Sequence, residues 1–160
     1  MVAKRMIDRG FTLLELLVVL TIIAVTTAGV SFAIRDERSA DLRRESLRIS
    51  ALLEAARAQS RTSGVPVRFV PDTAGFEFTG LRAHKTDRSD LSGVKAWLSA
   101  DIRWQILEPR NGKWLVLGPE PLIAPQQLEL SLGDQRVVVA TDGLAPFAEI
   151  PVEALQTRSP

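Results

Sequence analysis

Residues 10–25 read GFTLLELLVVLTIIAV. The apolar character continues as far as Ile34, and a short basic leader with Lys4 and Arg5 precedes it. A helix of residues 11–34 would be about 36 Å long, enough to cross the hydrocarbon core of a bilayer. We therefore predict a membrane helix at residues 11–34, preceded by a leader at residues 1–10.

Two other interpretations of this stretch are weaker. A buried core helix would need more surrounding protein than the rest of the chain offers. A secretory signal would be cleaved after small residues that follow the apolar run, and Ser31-Phe32-Ala33 is a poor site of this kind. The carboxylate of Glu15 inside the apolar run also argues against such a signal.

Glu15 is the residue that needs an explanation. An ionised side chain deep in a bilayer costs about 2.5–3.5 kcal/mol on insertion scales, and such residues usually mark function. If the chain is cut after Gly10, Glu15 lies in the first turn of a helix that begins at Phe11. The helix N-terminus favours negative charge there, and the new α-amino group becomes available as a counter-ion. That amine can come from the same chain or from a neighbour.

The segment GFTLLELLVV resembles the class III signal of type IV pilins and type II secretion pseudopilins. The match includes Gly10 before the cut, Phe11 after it and Glu15 four residues further on. The resemblance implies cleavage between Gly10 and Phe11 by a prepilin peptidase, N-methylation of Phe11, and assembly into a filament anchored in the inner membrane. Subunits of such filaments pack through this helix. Leu14, Glu15 and Leu17 are therefore the predicted assembly residues, with Glu15 facing a neighbour's Phe11 amine.

Charge alone does not orient the predicted membrane helix, because arginines follow it as well as precede it. The family resemblance decides the topology. It implies a single-pass protein of the inner membrane with its C-terminal domain in the periplasm.

The helix is predicted to continue through residues 35–63. An apolar stripe supports this prediction, as do pairs of opposite charge at three-residue spacing, which would form a solvated face. The stripe consists of Leu42, Ile49, Leu52, Leu53 and Ala56, and the pairs are Arg38 with Asp41, Asp41 with Arg44, Glu45 with Arg48, and Glu54 with Arg57. Gly64 and Pro66 then predict the end of the helix.

Residues 64–160 alternate in a pattern typical of strands. Short runs separated by turn residues predict about six or seven strands, with hairpins near Gly75 and Gly133. Trp104 and Trp114 are predicted to be cross-strand neighbours. The fold class is therefore α+β: a pilin-like protein in which one long N-terminal helix packs on an antiparallel β-sheet domain.

Composition points away from catalysis and nucleic-acid binding. The net charge is +1, there is no cysteine, and His84 is the one histidine. Asp87 and Asp90 are too few for the six to eight oxygen ligands of Ca²⁺. We expect no enzyme activity, no cofactor, no metal and no nucleic-acid partner.

A second resemblance narrows the family. The segments LLEAARA (52–58) and VVVATDG (137–143), followed by Pro-Phe at 146–147, look like the H-type minor pseudopilins of the type II secretion system, a group that also contains FimT-like minor pilins. A major pseudopilin would be expected to end in an acidic, calcium-holding loop, which residues 156–160 do not resemble.

This second resemblance implies a subunit near the tip of the pseudopilus that helps to export folded proteins. Its partners would be other minor and major pseudopilins and the prepilin peptidase, and contact with the secretin or the secreted cargo is left open. The alternative is a FimT-like minor pilin that binds DNA for uptake. The cations Arg82, Lys85 and Arg88 share their loop with acids, which favours the structural role.

Overall fold

A computed structural model describes residues 12–81 and 91–150, without the side chains of residues 28–35. The cleavage pair Gly10 and Phe11 lies outside the described residues, as do residues 82–90 with His84 and their charged neighbours, and the tail from residue 151. Contacts group the chain into two compact units, Met1–Asp36 and Glu37–Pro160.

The described residues form one long helix and eight strands. In chain order these are α1 (Leu13–Ser63), β1 (Arg68–Pro71), β2 (Gly75–Thr79), β3 (Lys95–Ala96), β4 (Arg103–Glu108), β5 (Leu115–Val116), β6 (Gln126–Leu132), β7 (Gln135–Thr141) and β8 (Ala148–Ile150). They make two antiparallel four-stranded sheets, with strand orders β3-β2-β1-β5 and β4-β6-β7-β8. The predicted α+β class is confirmed.

The two predicted hairpins form, but the strands do not build a single sheet. β1 pairs with β2 and β6 pairs with β7, each across a short turn. The consecutive strands β4 and β5 enter different sheets, because β4 pairs with β6 and β5 pairs with β1. β3 is short and consists of Lys95 and Ala96. Alternation along one strand shows which face is buried, but it does not identify a distant partner strand.

Helix α1 ends where its local signals predict. Gly64 adopts a φ of 65° and donates its N–H to the Ser60 carbonyl oxygen at 2.9 Å. Glycine adopts this left-handed conformation without a steric cost, and Pro66 cannot continue the helix.

The predicted apolar stripe of α1 is the helical part of the core. Its residues Leu42, Ile49, Leu53 and Ala56 are buried, whereas Leu52 is half-buried at the edge. They belong to one cluster with side chains from both sheets, among them Phe69 of β1 and Leu128 of β6. Burial of such side chains stabilises a fold by about 1.5–3 kcal/mol each relative to exposure.

The prediction of a solvated ion-paired face on α1 is wrong at two positions. Arg44 and Asp41 do pair on the surface, with 3.1 Å between Nη1 and Oδ1. Glu45 and Arg57 are instead almost completely inaccessible to solvent. Segments from later in the chain cover them, since Ala96 accepts a hydrogen bond from Arg48 and Ala145 accepts one from Arg57.

The predicted contact between Trp104 and Trp114 is also wrong. Trp104 belongs to β4, and Trp114 precedes β5 of the other sheet. The indole N–H groups of Trp97 and Trp104 instead both donate to the Asp72 carbonyl oxygen, at 2.9 and 3.0 Å. A single carbonyl in the β1–β2 turn thus orients two tryptophans.

Candidate functional site

The candidate site begins at the first turn of α1. Thr12 lies just before the first helical residue, and its Oγ1 accepts a hydrogen bond from the Glu15 N–H at 3.2 Å. Thr12 is therefore the N-cap, and Glu15 occupies the third helical position, as in a capping box. The helix begins at Leu13 rather than at Phe11, because the Thr12 side chain satisfies a backbone donor of the first turn. The T-x-x-E spacing was the signal for this cap in the sequence.

The Glu15 carboxylate lies where a helix favours negative charge. The first-turn N–H groups and the helix dipole stabilise an anion by about 0.3–1 kcal/mol at an exposed site. Within the described part of the chain, this carboxylate forms no hydrogen bond or ion pair, and it is exposed. No described residue competes with an external cation or amine for this carboxylate.

Around Glu15 the helix is apolar on every side, and these side chains are exposed. Ten large apolar residues between Leu13 and Val25 are 42% to 81% exposed, Leu14 and Leu17 among them. They are Leu13, Leu14, Leu16, Leu17, Val18, Val19, Leu20, Ile22, Ile23 and Val25, and we call them the apolar band. A helix that is hydrophobic all round is normally buried in protein or lipid. The described residues do not supply such an environment for the band.

The threonines of this segment are compatible with an apolar environment. The hydroxyls of Thr21, Thr26 and Thr27 donate to the carbonyl oxygens of Leu17, Ile22 and Ile23, at 2.7 to 2.8 Å. Because each hydroxyl is satisfied inside its own helix, it loses little on transfer out of water. Glu15 is the charged exception in the apolar band.

Among the described residues, no helix has an apolar stretch long enough to span a membrane. The membrane helix predicted for residues 11–34 includes residue 11 and the side chains of residues 28–34, which the structure does not describe. It therefore stays a prediction. Leu14, Glu15 and Leu17 lie together on the first turns of α1, whereas the predicted cleavage pair, Gly10 and Phe11, lies outside the described residues.

A second polar cluster lies inside the Glu37–Pro160 unit. The Arg57 guanidinium donates to the carbonyl oxygens of Ala145, Gly143 and Pro121, at 3.1, 2.5 and 3.4 Å. Its Nη1 lies 3.7 Å from Oε1 of Glu54, and that oxygen accepts the Phe147 N–H at 2.9 Å. The cluster joins the two segments, 52–58 and 137–143, on which the second resemblance rests.

The loop that receives Arg57 depends on Gly143. This glycine has a φ of 96°, and a Cβ there would lie 1.9 Å from the Ile123 carbonyl oxygen. Thr141 and Asp142 side chains close the same loop through hydrogen bonds to Gly143, Leu144 and Ala145. The sequence analysis did not predict that Arg57 is buried and anchors this loop. Its position next to Ala56 of the apolar stripe could have indicated the burial.

A third polar group, Glu45, is buried beside Arg48. Two hydrogen bonds of 3.1 and 3.2 Å join Nη1 of Arg48 to the Glu45 carboxylate. The same Nη1 donates to Ala96, and the guanidinium lies 5.4 Å from the centre of the Phe76 ring. Burial raises the pKa of the Glu45 carboxyl above its ordinary value, and Arg48 together with the Leu98 backbone N–H opposes that shift.

These clusters offer no metal site in the part of the chain that the structure describes, since no group of three or more His, Cys, Asp or Glu side chains converges there. The polar side chains around Arg57 bond to backbone carbonyls and amides of the same unit. Their arrangement stabilises the domain, whereas the apolar band and Glu15 are left for interaction.

The fold, a long N-terminal helix followed by antiparallel sheets, is type IV pilin-like. The family model for the prokaryotic N-terminal methylation motif matches residues 5–31. The chain is similar in structure to the type IV minor pilin FimU of Pseudomonas aeruginosa, with a TM-score of 0.52 and 14% sequence identity. That similarity covers 75% of this chain and 92% of FimU, and at this identity it concerns the fold. A search of the curated proteins finds no significant match.

Proposed function

We propose that this chain is an H-type minor pseudopilin of a type II secretion system, a structural subunit near the tip of the periplasmic pseudopilus. In this role it helps folded proteins to leave through the outer membrane. The observation that carries the filament role is the exposed apolar band with one capped carboxylate, Glu15. The secretion role rests on the sequence resemblance at residues 52–58 and 137–143.

Assembly supplies an apolar environment for the apolar band. After a cut between Gly10 and Phe11, each subunit carries a new positive α-amine directly before the Thr12 cap. A neighbour's amine pairs with Glu15, and this contact removes the cost of placing a carboxylate in lipid or among apolar helices. Leu14 and Leu17 pack against neighbouring helices in the same step.

The test of assembly is Glu15→Ala, with Glu37→Ala as the matched control. Glu37 is also an exposed carboxylate of α1, but it lies beyond the apolar band. We expect Glu15→Ala to leave membrane insertion and leader cleavage intact and to reduce the subunit in sheared filaments several-fold. Glu37→Ala should resemble the parent. Equal recovery of Glu15→Ala and parent chains would refute the pairing.

The test of the secretion role compares the extracellular proteins of a strain that lacks this chain with those of its parent. Loss of particular exoproteins, restored by the parent chain but not by a Gly10 variant that escapes cleavage, is the expected result. Normal secretion in the deletion strain would contradict the proposal.

A minor pilin role in a type IV pilus is the second candidate. The structural similarity to a type IV minor pilin favours it. Under this candidate, deletion leaves secretion normal and reduces surface piliation. If the chain is FimT-like, DNA uptake also falls, and Arg82, Lys85 and Arg88, which lie outside the described residues, are the cations to replace.

A further inference from the structure

The Glu37–Pro160 unit carries an open groove of about 700 Å³. We call it the Trp114 groove, and its lining includes Pro109, Asn111, Trp114, Val116, Leu122 and Ile123. Trp114 is 42% exposed and Leu122 is 65% exposed. Concave apolar surfaces that combine exposed aromatic and aliphatic side chains are typical of binding sites.

At one wall of the groove, the Gln126 side chain makes the hydrogen bonds that a neighbouring strand would make. The Gln126 amide accepts the Val116 N–H at Oε1 and donates from Nε2 to the Val116 carbonyl oxygen, both at 2.8 Å. A neighbouring strand would make the same pair of bonds. The outer edge of β5 is thereby closed at Val116, and its side chain is fixed in the groove.

Hydrogen bonds also tie two other segments beside the groove to the unit. The Pro121 carbonyl oxygen accepts hydrogen bonds from Arg57 at 3.4 Å and from Arg61 at 3.3 Å. The turn beside Asn111 is closed by the Gly112 N–H, which donates to the Pro109 carbonyl oxygen at 2.9 Å. Because the walls are fixed before any ligand arrives, binding loses little entropy in ordering them.

The charged side chains shown at the groove are two cations and one acid. Lys113 lines the groove, and the Arg68 guanidinium sits 5.3 Å from the centre of the Trp114 ring. Glu120 is the acid of the lining, while the nearby Glu108 carboxylate accepts a hydrogen bond from Gln127 at 3.3 Å. An apolar floor flanked by two cations is complementary to an apolar side chain flanked by carboxylates.

We propose that the Trp114 groove docks an acidic segment of a partner protein through one apolar side chain. The side chain lies against Trp114 and Leu122, and the flanking carboxylates face Arg68 and Lys113. The site is separate from the apolar band and goes beyond the proposed function, because it assigns a partner chemistry to the globular unit.

The test uses the full chain in nanodiscs of zwitterionic lipid, with empty nanodiscs as the blank. The probe is a short fluorescein-labelled peptide of alternating glutamate and leucine, and fluorescence anisotropy measures its binding. Two further peptides replace glutamate by lysine or leucine by serine. We expect the glutamate–leucine peptide to bind more tightly than either. Equal binding of all three, or no binding of the first, would overturn the proposal.

Leu122→Ser and Leu144→Ser form the matched pair of variants. Both leucines are exposed, at 65% and 73%, but Leu144 does not line the groove. We expect Leu122→Ser to weaken peptide binding about tenfold, the scale of one lost apolar contact, and Leu144→Ser to leave it unchanged. Lys113→Glu should weaken the acidic peptide and strengthen its lysine counterpart.

Self-association of the same variants, measured by sedimentation, identifies the competing occupant. Two results together would show that a second copy of the chain occupies the groove: Leu122→Ser abolishes self-association, and the peptide does not reduce the self-association of the parent chain. The proposal would then fail. Equal weakening of peptide binding by Leu122→Ser and Leu144→Ser would also contradict it.

Discussion

The first turns of α1 and the Glu37–Pro160 unit differ in the exposure of their apolar side chains and in the partners of their polar groups. In the first turns, leucines and valines are exposed and the Glu15 carboxylate has no partner among the described residues. In the Glu37–Pro160 unit, Leu53 and its neighbours are buried, and even Arg57 and Glu45 find partners inside. The comparison shows that the described residues leave the apolar side chains of one segment uncovered, whereas the other segment buries its own.

This difference separates two kinds of stability. Substitutions of buried residues in the unit should change its free energy of unfolding, because the contacts of those residues lie within the unit. Substitutions in the apolar band should leave that free energy unchanged and alter assembly or membrane association instead.

The largest expected effect comes from Arg57→Met, which leaves buried carbonyl oxygens without their donor. We expect a loss of about 3–5 kcal/mol in the free energy of unfolding, measured in urea through tryptophan fluorescence. Arg61→Met is the control, because Arg61 is exposed and bonds only to Pro121 among the described residues. It should cost less than about 1 kcal/mol. Equal losses would show that the Arg57 cluster is not a buried anchor.

The same substitution in both regions sharpens the comparison directly. Leu53→Ala should destabilise the Glu37–Pro160 unit by about 2–5 kcal/mol, because it opens a cavity in the core. Leu17→Ala should change that free energy by less than about 0.5 kcal/mol and lower incorporation into filaments. A large effect of Leu17→Ala on unfolding would remove the distinction between the two regions.

A smaller effect is expected at the cap. Thr12→Ala should destabilise the first turn by about 1 kcal/mol, which corresponds to about fivefold faster amide exchange at Glu15. The measurement is hydrogen exchange by NMR on the full chain in nanodiscs. Thr21→Ala is the control, since the Thr21 hydroxyl bonds to the Leu17 carbonyl oxygen and caps nothing. Unchanged exchange in Thr12→Ala would refute the cap.

The smallest expected effect is a pH dependence. Burial raises the pKa of the Glu45 carboxyl above 4.5, so the folded unit binds this proton more tightly than the unfolded chain does. Its contribution to stability is full below pH 4.5 and is lost as the pH rises through the raised pKa. Glu45→Gln should remove this component from the pH profile of urea unfolding. Asp41→Asn, in an exposed pair with Arg44, should retain it. Identical profiles for Glu45→Gln and the parent would contradict the prediction.

Sequence reasoning succeeded where the signal is local. The stripe from Leu42 to Ala56, the end of α1 before Gly64 and the two hairpins were all predicted, and each depends on residues close together in the chain. It failed where distant segments meet. The separation of β4 from β5 and the burial of Glu45 and Arg57 follow from contacts with residues far along the chain.

The sequence by itself determined an apolar helical segment with a single carboxylate, its continuation into an amphipathic half, and an antiparallel α+β class. These properties follow from hydrophobic periodicity and from the conformational limits of glycine and proline. Only the tertiary structure decided that two sheets form, that Arg57 anchors the loop around Gly143, and that Trp114 and Leu122 share a groove flanked by two cations. Such features depend on which distant segments pack together, and no local pattern specifies that choice.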